Sequence, residues 1–166
     1  MIRTLQSTES PILRECANSV TDFSDVHLRP LIDDMFETMR AGKGVGLAAP
    51  QIGISLRIIV FEFSGNDFAH GEPSIPATVL INPVIIDGSG SLDGMEGCFS
   101  VPGYIGVVSR CSEISYIAQD IDGNKVKGVA KGLSARIIQH EVDHLNGILY
   151  SDKAKKMVKF GTKIEQ

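Results

Sequence analysis

Residues 139–144 read Gln-His-Glu-Val-Asp-His and lie within a segment, 133–145, whose apolar residues recur at helical spacing. On such a helix His140 and His144 are one turn apart on one side, so their imidazoles can reach the same metal ion. Glu141 points to nearly the same side, where a carboxylate can contact a bound water without being a ligand. Because apolar residues cover most of the helix surface, we expect it to be buried. Two histidines and a glutamate on a buried helix predict a metal site.

The composition fits one globular domain. The chain has 166 residues, of which 43% are hydrophobic and 22% charged, and its net charge is −4. This balance excludes intrinsic disorder, and the acidity argues against a protein that coats DNA. No apolar run approaches the roughly 18 residues of a membrane span, and residues 1–15 lack the apolar core of a secretory signal. We therefore expect a single domain over residues 1–166 that acts in the cytoplasm and does not contact a membrane.

Short strands are predicted around two helices. The first helix is expected over about 24–40, with Ser24 or Asp25 as its cap, and the second over 133–145. Runs rich in β-branched residues predict the strands, which are 56–61, 78–81, 84–86, 112–121 and 125–130. Asn82-Pro83 is expected to separate two of them, and 64–76 to form a surface loop.

A third metal ligand is expected upstream of the helix. A catalytic site of the zinc type has three protein ligands and leaves one position for water. No histidine follows His144, which argues against proteases that take a further histidine after the helix motif. Cys98 lies in Glu-Gly-Cys-Phe-Ser, residues 96–100, and a thiolate with two imidazoles suits a divalent first-row metal. Cys16 and Cys111 are expected to be buried, unreactive thiols in a reducing compartment.

Residues 44–51 read Gly-Val-Gly-Leu-Ala-Ala-Pro-Gln. Their small side chains allow backbone to approach a ligand closely, and the spacing is not that of a phosphate-binding loop. Gln51 ends the segment, and a side-chain amide can donate to a developing oxyanion. This segment is therefore a candidate part of the same site.

Together, 44–51, 96–100 and 139–144 resemble the three motifs of the peptide deformylase family in residue type, order and separation. The resemblance extends from the first helix to about Tyr150. It implies an α+β fold, a single compact domain with antiparallel sheets packed around a central helix that carries the HEXXH motif. It also implies a hydrolase that acts in translation and removes the formyl group from the N-terminal formyl-methionine of newly made polypeptides, releasing formate.

The resemblance further implies the catalytic roles. One divalent metal ion, usually Fe(II) with zinc, nickel or cobalt as possible replacements, would be held by Cys98, His140 and His144. Water activated by the metal would attack the formyl carbon, and Glu141 would act as general base and then as general acid. Gln51 and the backbone N–H of Phe99 would donate to the oxyanion.

The substrate is expected to bind as an extended strand along the backbone near Val45, Gly46 and Gly97. Ile137 and Leu133 lie one and two turns before His140, and they either line a pocket for the methionine side chain or belong to the ordinary core. The remaining candidates for substrate contact are Ile105 and Arg136. Ile105 stands where many family members carry an arginine, which makes the expected pocket rim less polar.

Three questions stay open at this stage. Arg110 either pairs with Glu96 to brace the Cys98 loop or is a solvated surface residue. Residues 151–166 form a basic C-terminal tail with five lysines and two acids, which is either a solvated, frayed end or a weak contact for ribosomal RNA. The helix motif alone also allows a metallopeptidase that cleaves internal bonds, or a non-enzymatic protein that binds peptide termini or a metal.

Overall fold

Two antiparallel sheets surround the helix that carries the histidines. The computed structural model describes residues 1–65 and 71–160. Its helices and strands follow one another in this order: α1 Leu28–Ala41, β1 Gly46–Ala48, β2 Ile58–Phe63, β3 Ile75–Ser89, β4 Leu92–Gly97, β5 Tyr104–Arg110, β6 Glu113–Gln119, β7 Lys125–Lys131, α2 Gly132–Leu145, α3 Tyr150–Lys153 and β8 Lys156–Lys159. This architecture confirms the predicted α+β class with antiparallel sheets around a central helix.

The sheets leave two strand edges beside the helix. The larger sheet has the order β1-β2-β3-β6-β7, and the smaller has the order β4-β5-β8. Strand β1 pairs only with β2, and β4 pairs only with β5, within the described residues. One edge of each of these strands is therefore open to pairing with a further extended chain.

The core divides between the two long helices. Ala135, Ile138 and Leu145 of α2 are fully buried in a cluster that includes apolar residues of β2, β3 and β6. Helix α1 buries an apolar face, led by Met35 and Met39, against β1 and β2 in a second cluster. The apolar spacing that predicted both helices is thus the spacing of their buried faces.

Some predicted boundaries are wrong, each for a local reason. Helix α1 begins at Leu28 rather than near residue 24, because the Asp25 carboxylate accepts the backbone N–H of His27 in a turn that precedes the helix. Asn82-Pro83 does not separate two strands but forms a bulge inside β3, with φ 51° at Asn82. The Asn82 side chain stabilises this bulge by bonding both backbone groups of Val20 at 2.9 Å.

The predicted surface loop 64–76 is shorter than expected, since β3 already begins at Ile75. Residues 66–70 of that prediction lie outside the described residues. The prediction that Cys16 is buried is also wrong: this thiol is exposed, and Cys111 is half-buried. None of the helices in the described ranges is long and apolar enough to cross a membrane.

Strands β4 and β5 were missed because glycine weakens the strand signal, and β8 was missed because it is only four residues long and half lysine. Gly94 of β4 is needed for close packing, since a Cβ there would lie 2.8 Å from the guanidinium carbon of Arg136. Glycine is typical of loops in a sequence, but Gly94 lies in a strand and makes room for a charged side chain of α2.

The basic C-terminal segment is folded as far as residue 160. Strand β8 pairs with β5, and Lys153 and Lys155 form ion pairs with Asp143 and Asp93 at 2.8 and 2.9 Å. The expectation of a frayed end is wrong for this part of the segment, and residues 161–166 lie outside the described residues.

Candidate active site

Three potential metal ligands converge at the centre of the fold. Helix α2 places the rings of His140 and His144 with their centroids 5.0 Å apart, and Cys98 follows directly after β4. The Cys98 Sγ lies 3.2 Å from the His144 Nε2, and one ligand atom from each of the three residues falls within 4.8 Å of the others. Metal–ligand distances of about 2.0–2.3 Å require donors this close together. The donor set therefore fits one divalent ion.

A buried carboxylate orients the first histidine. The Glu96 Oε2 lies 2.8 Å from the His140 Nδ1. Burial alone would raise the pKa of Glu96, but hydrogen bonds from Arg110 and His140 outweigh it and hold the pKa well below its usual value. Because the ionised carboxylate only accepts, the Nδ1 of His140 carries the hydrogen and its Nε2 is left for a metal.

Arg110 links this carboxylate to Asp143, one turn after His140 on α2. It donates to both Glu96 oxygens at 2.9 Å and to the Asp143 Oδ2 at 2.5 Å, and it is only 5% exposed. Lys153 contacts the other oxygen of Asp143. The predicted pairing of Arg110 with Glu96 is confirmed, and the alternative of a solvated arginine is wrong.

Glu141 presents an unsatisfied carboxylate oxygen to the cleft. Its Oε2 is buried and has no hydrogen-bond partner among the described residues. A Cβ on Gly46 would collide with the Oε1, so only glycine permits this approach between α2 and β1. Burial raises the pKa of Glu141 to about 7, although the neighbouring His140 opposes the shift. A group with such a pKa can both take and give a proton near neutral pH.

Gln51 and the Cys98 loop face each other across the site. The Gln51 Oε1 accepts the backbone N–H of Ala48 at 2.8 Å, which turns the Nε2 toward the Cys98 Sγ at 3.3 Å. The backbone N–H of Ser100 also points to this sulfur, at 3.4 Å. These two donors hold the Cys98 sulfur in place between the two loops. The Phe99 ring packs against Gly42 and Gly44 and thereby holds the two loops together.

A cavity of about 780 Å³ opens over this site. The predicted site residues that line it are Val45, Gly46, Gln51, Gly97, Cys98, Phe99, Leu133, Arg136, Ile137, His140 and Glu141. His144 is buried beneath the cavity. Ile105 is not among the described lining residues; it lies in β5 between Gly97 of β4 and Val158 of β8.

Leu133 and Ile137 belong both to the cavity wall and to the core. Ile137 is buried in the α2 cluster, and Leu133 packs against that cluster. The Arg136 guanidinium is held by Glu96 at 2.8 Å and by the backbone carbonyl of Val108 at 2.9 Å. Arg136 therefore shapes the wall while its charge is neutralised by Glu96.

Several lining residues were missed by the sequence analysis, namely Gly42, Lys43, Met95, Pro102, Gly103 and Phe160. Gly42 and Lys43 directly precede the 44–51 motif, and this position could have indicated that they belong to the site. Phe160 lies far from every motif in sequence, so nothing in the chain alone connected it with the site.

The sequence model of the family described as Polypeptide deformylase matches residues 2–160. The chain belongs to the peptide deformylase family. Peptide deformylase 2 of Bordetella bronchiseptica is 46% identical over 162 residues, which are 97% of this chain and 92% of that protein. Peptide deformylase 1 of Prochlorococcus marinus is 48% identical over 154 residues, which are 92% of this chain and 80% of that protein.

Solved structures of peptide deformylases have the same fold. The class I type b peptide deformylase of Acinetobacter baumannii, crystallised with Met-Ala-Ser, superposes with a TM-score of 0.89 at 36% identity, covering 92% of this chain and 98% of that one. The Thermotoga maritima peptide deformylase gives 0.83 at 36% identity, covering 94% and 99%. The chain is thus a metal-dependent hydrolase that removes the formyl group from nascent peptides. The alternatives of an internal metallopeptidase and of a non-enzymatic binder are wrong.

Replacing Arg110 tests how much the site depends on its buried ion pairs. Arg110→Met should lower the free energy of unfolding by roughly 3–5 kcal/mol, because Glu96 and Asp143 stay buried without their partner. It should also weaken metal binding about 10–100-fold, since Glu96 no longer holds His140 firmly. Denaturant unfolding and metal titration measure the two effects.

Arg29→Met is the matched control, since Arg29 pairs with Asp122 on the surface. This exposed pair should contribute little to stability or to metal binding. Equal effects of the two substitutions would contradict the role given to Arg110.

Proposed function

We propose that Glu141 performs the proton transfers of deformylation at a divalent metal held by Cys98, His140 and His144. The observation that carries this proposal is the buried, unpartnered oxygen of Glu141 beside three converging ligand atoms. The metal would supply Lewis acidity, which polarises a carbonyl oxygen and makes water a better nucleophile near neutral pH.

The groups around the proposed metal site transfer the protons and bind the oxyanion. Glu141 takes the proton of the attacking water and then delivers it to the leaving amine nitrogen, so that formate and a free amino terminus result. The Nε2 of Gln51 and the backbone N–H of Phe99 donate to the oxyanion that develops on the formyl oxygen. Gln51 suits this role because Ala48 fixes the orientation of its amide.

The peptide binds in an extended form between the open edges of β1 and β4. Backbone groups near Val45, Gly46 and Gly97 pair with it, and the methionine side chain enters the pocket between Leu133 and Ile137. The crystal structure of the Acinetobacter baumannii relative, which contains bound Met-Ala-Ser, supports this assignment. Met-Ala-Ser is the peptide that remains when the formyl group is removed from formyl-Met-Ala-Ser. Because nascent chains are made in the cytoplasm, we place the enzyme there.

Glu141→Gln separates catalysis from metal binding. The variant should keep the metal, because Glu141 is not a ligand, and should lose about 10²–10⁴-fold in kcat, the usual contribution of general acid–base catalysis. Formate release from formyl-Met-Ala-Ser, measured beside the metal content, tests this. Glu113→Gln, an exposed change of the same kind on β6, is the control. Near-native turnover in metal-loaded Glu141→Gln would remove Glu141 from the mechanism.

We further propose Fe(II) as the metal in the cell, with zinc, nickel and cobalt as replacements. A thiolate with two imidazoles accepts all of these ions. The iron form should lose activity in air and the nickel form should persist, because a thiolate on ferrous iron is open to oxidation. Cys16→Ser and Cys111→Ser should decay at the native rate. If either substitution abolished the decay, the oxygen-sensitive thiol would lie away from the metal.

We also propose a weak contact with the ribosome through the basic segment 151–166. Lys156 and Lys159 are exposed on β8, where phosphate groups of RNA can reach them. Lys156→Glu with Lys159→Glu should reduce co-sedimentation with ribosomes at low salt and leave formyl-peptide turnover unchanged. The control is Lys125→Glu with Lys127→Glu, which makes the same charge change on β7. If native and doubly substituted proteins sediment alike across a salt series, the segment does not dock.

A further inference from the structure

Lys153 is an exposed residue that begins a chain of charged contacts leading to the metal site. It is the last residue of α3, and its side chain is 42% exposed. Its Nζ nonetheless donates to the Asp143 Oδ1 at 2.8 Å. Because Asp143 is only 8% exposed, the ammonium group of a surface lysine neutralises a carboxylate that belongs to the interior of the protein.

From Asp143 the contacts continue without interruption to a predicted metal ligand. The second oxygen of Asp143 accepts a hydrogen bond from the Arg110 Nη1 at 2.5 Å. Arg110 also donates to both oxygens of Glu96, and Glu96 contacts the Nδ1 of His140 at 2.8 Å. Neighbouring hydrogen bonds in this chain share a carboxylate or a guanidinium, so the geometry of each one depends on the next.

The two carboxylates in the chain compete for Arg110. Its guanidinium donates once to Asp143 and twice to Glu96, while Lys153 binds the remaining oxygen of Asp143. Without Lys153, Arg110 would be the only cation in contact with the Asp143 side chain among the described residues. The guanidinium would then be drawn toward Asp143 at the expense of Glu96, because a buried carboxylate needs its partners.

We infer that Lys153 is a positioning residue for His140. It acts through the three charged groups that lie between them, namely Asp143, Arg110 and Glu96. While Arg110 is shared by both carboxylates, Glu96 stays against His140, and the imidazole keeps the orientation in which its Nε2 can bind a metal. This role rests on the proposed ligand set. It belongs to a lysine of the C-terminal segment, which contains none of the three motifs.

The test compares Lys153→Met with Lys153→Arg in the binding of nickel ion, measured by competition with a chelator. Lys153→Met should weaken binding roughly 3–10-fold, less than the 10–100-fold typical of a direct partner of a ligand, because Arg136 still holds Glu96. Lys153→Arg keeps a cation that can reach Asp143 and should restore near-native binding. At saturating nickel the kcat should change little in both variants, since Lys153 is not among the described residues that line the cleft.

Arg14→Met is the matched control, because Arg14 pairs with Asp152 of the same short helix at 2.5 Å and its side chain is 47% exposed. Exposed ion pairs contribute little to stability, so Lys153→Met and Arg14→Met should both lower the urea midpoint only slightly. Nickel binding should weaken in Lys153→Met alone. Native nickel affinity in Lys153→Met, or an equal loss in Arg14→Met, would overturn the inference, the second by showing that the effect comes from the packing of α3.

The Asp143→Asn background tests the route of the effect. There, Lys153→Met should no longer change the nickel affinity, since the first contact of the chain is already lost. If Lys153→Met weakened nickel binding as much in this background as in the native protein, Lys153 would act by another route and the inference would be wrong.

The Nδ1–H proton of His140 gives a second readout that needs no metal. Its hydrogen bond to Glu96 should slow its exchange with water, which nuclear magnetic resonance detects in protein with isotope-labelled histidine. Lys153→Met should speed this exchange and Arg14→Met should not, and unchanged exchange in Lys153→Met would overturn the inference. If the native protein bound no nickel but showed this difference, the proposed ligand set would fail and the role of Lys153 toward His140 would stand.

Discussion

The ionised carboxylate of Glu96, buried between β4 and α2, determines the geometry of the whole site. It accepts hydrogen bonds from Arg110 on β5 and from Arg136 and His140 on α2. Burying any one of these four groups alone in an apolar interior would cost free energy. They stabilise one another only when the sheet and the helix are correctly packed together. The same docking brings Cys98, two residues beyond Glu96, against His144.

A second constraint comes from close packing between α2 and β1. The Glu141 carboxylate occupies the space that a side chain at position 46 would need. Glycine at that position therefore allows the Glu141 carboxylate to lie beside the open edge strand β1. At position 94 the lack of a side chain likewise leaves room for the Arg136 guanidinium, which contacts Glu96. The glycines in both edge strands thus allow side chains of α2 to lie close against β1 and β4.

The sequence predicted the parts of the site that depend on local spacing. His140, His144 and Glu141 follow from helical periodicity, and Cys98 and Gln51 stand in short motifs that the structure brings around them. The smaller sheet was not predicted, because β4 and β5 contain glycines that make room for side chains of other elements and β8 is only four residues long. The bulge at Asn82 was mistaken for a break, since it depends on hydrogen bonds to Val20, which is distant in sequence. Phe160 was missed for the same reason, as its position is fixed by pairing between β8 and β5.

The pairing of β8 with β5 also has a consequence for the order in which the enzyme can become active. The three motifs are synthesised before residue 145, yet Lys153, strand β8 and Phe160 are added only afterwards. Lys153 neutralises Asp143, and Phe160 completes one wall of the cleft. A chain that ends at residue 150 contains all three motifs but leaves one edge of β5 unpaired. Until strand β8 has paired with β5, Asp143 lacks its contact with Lys153 and the cavity lacks Phe160 in its wall.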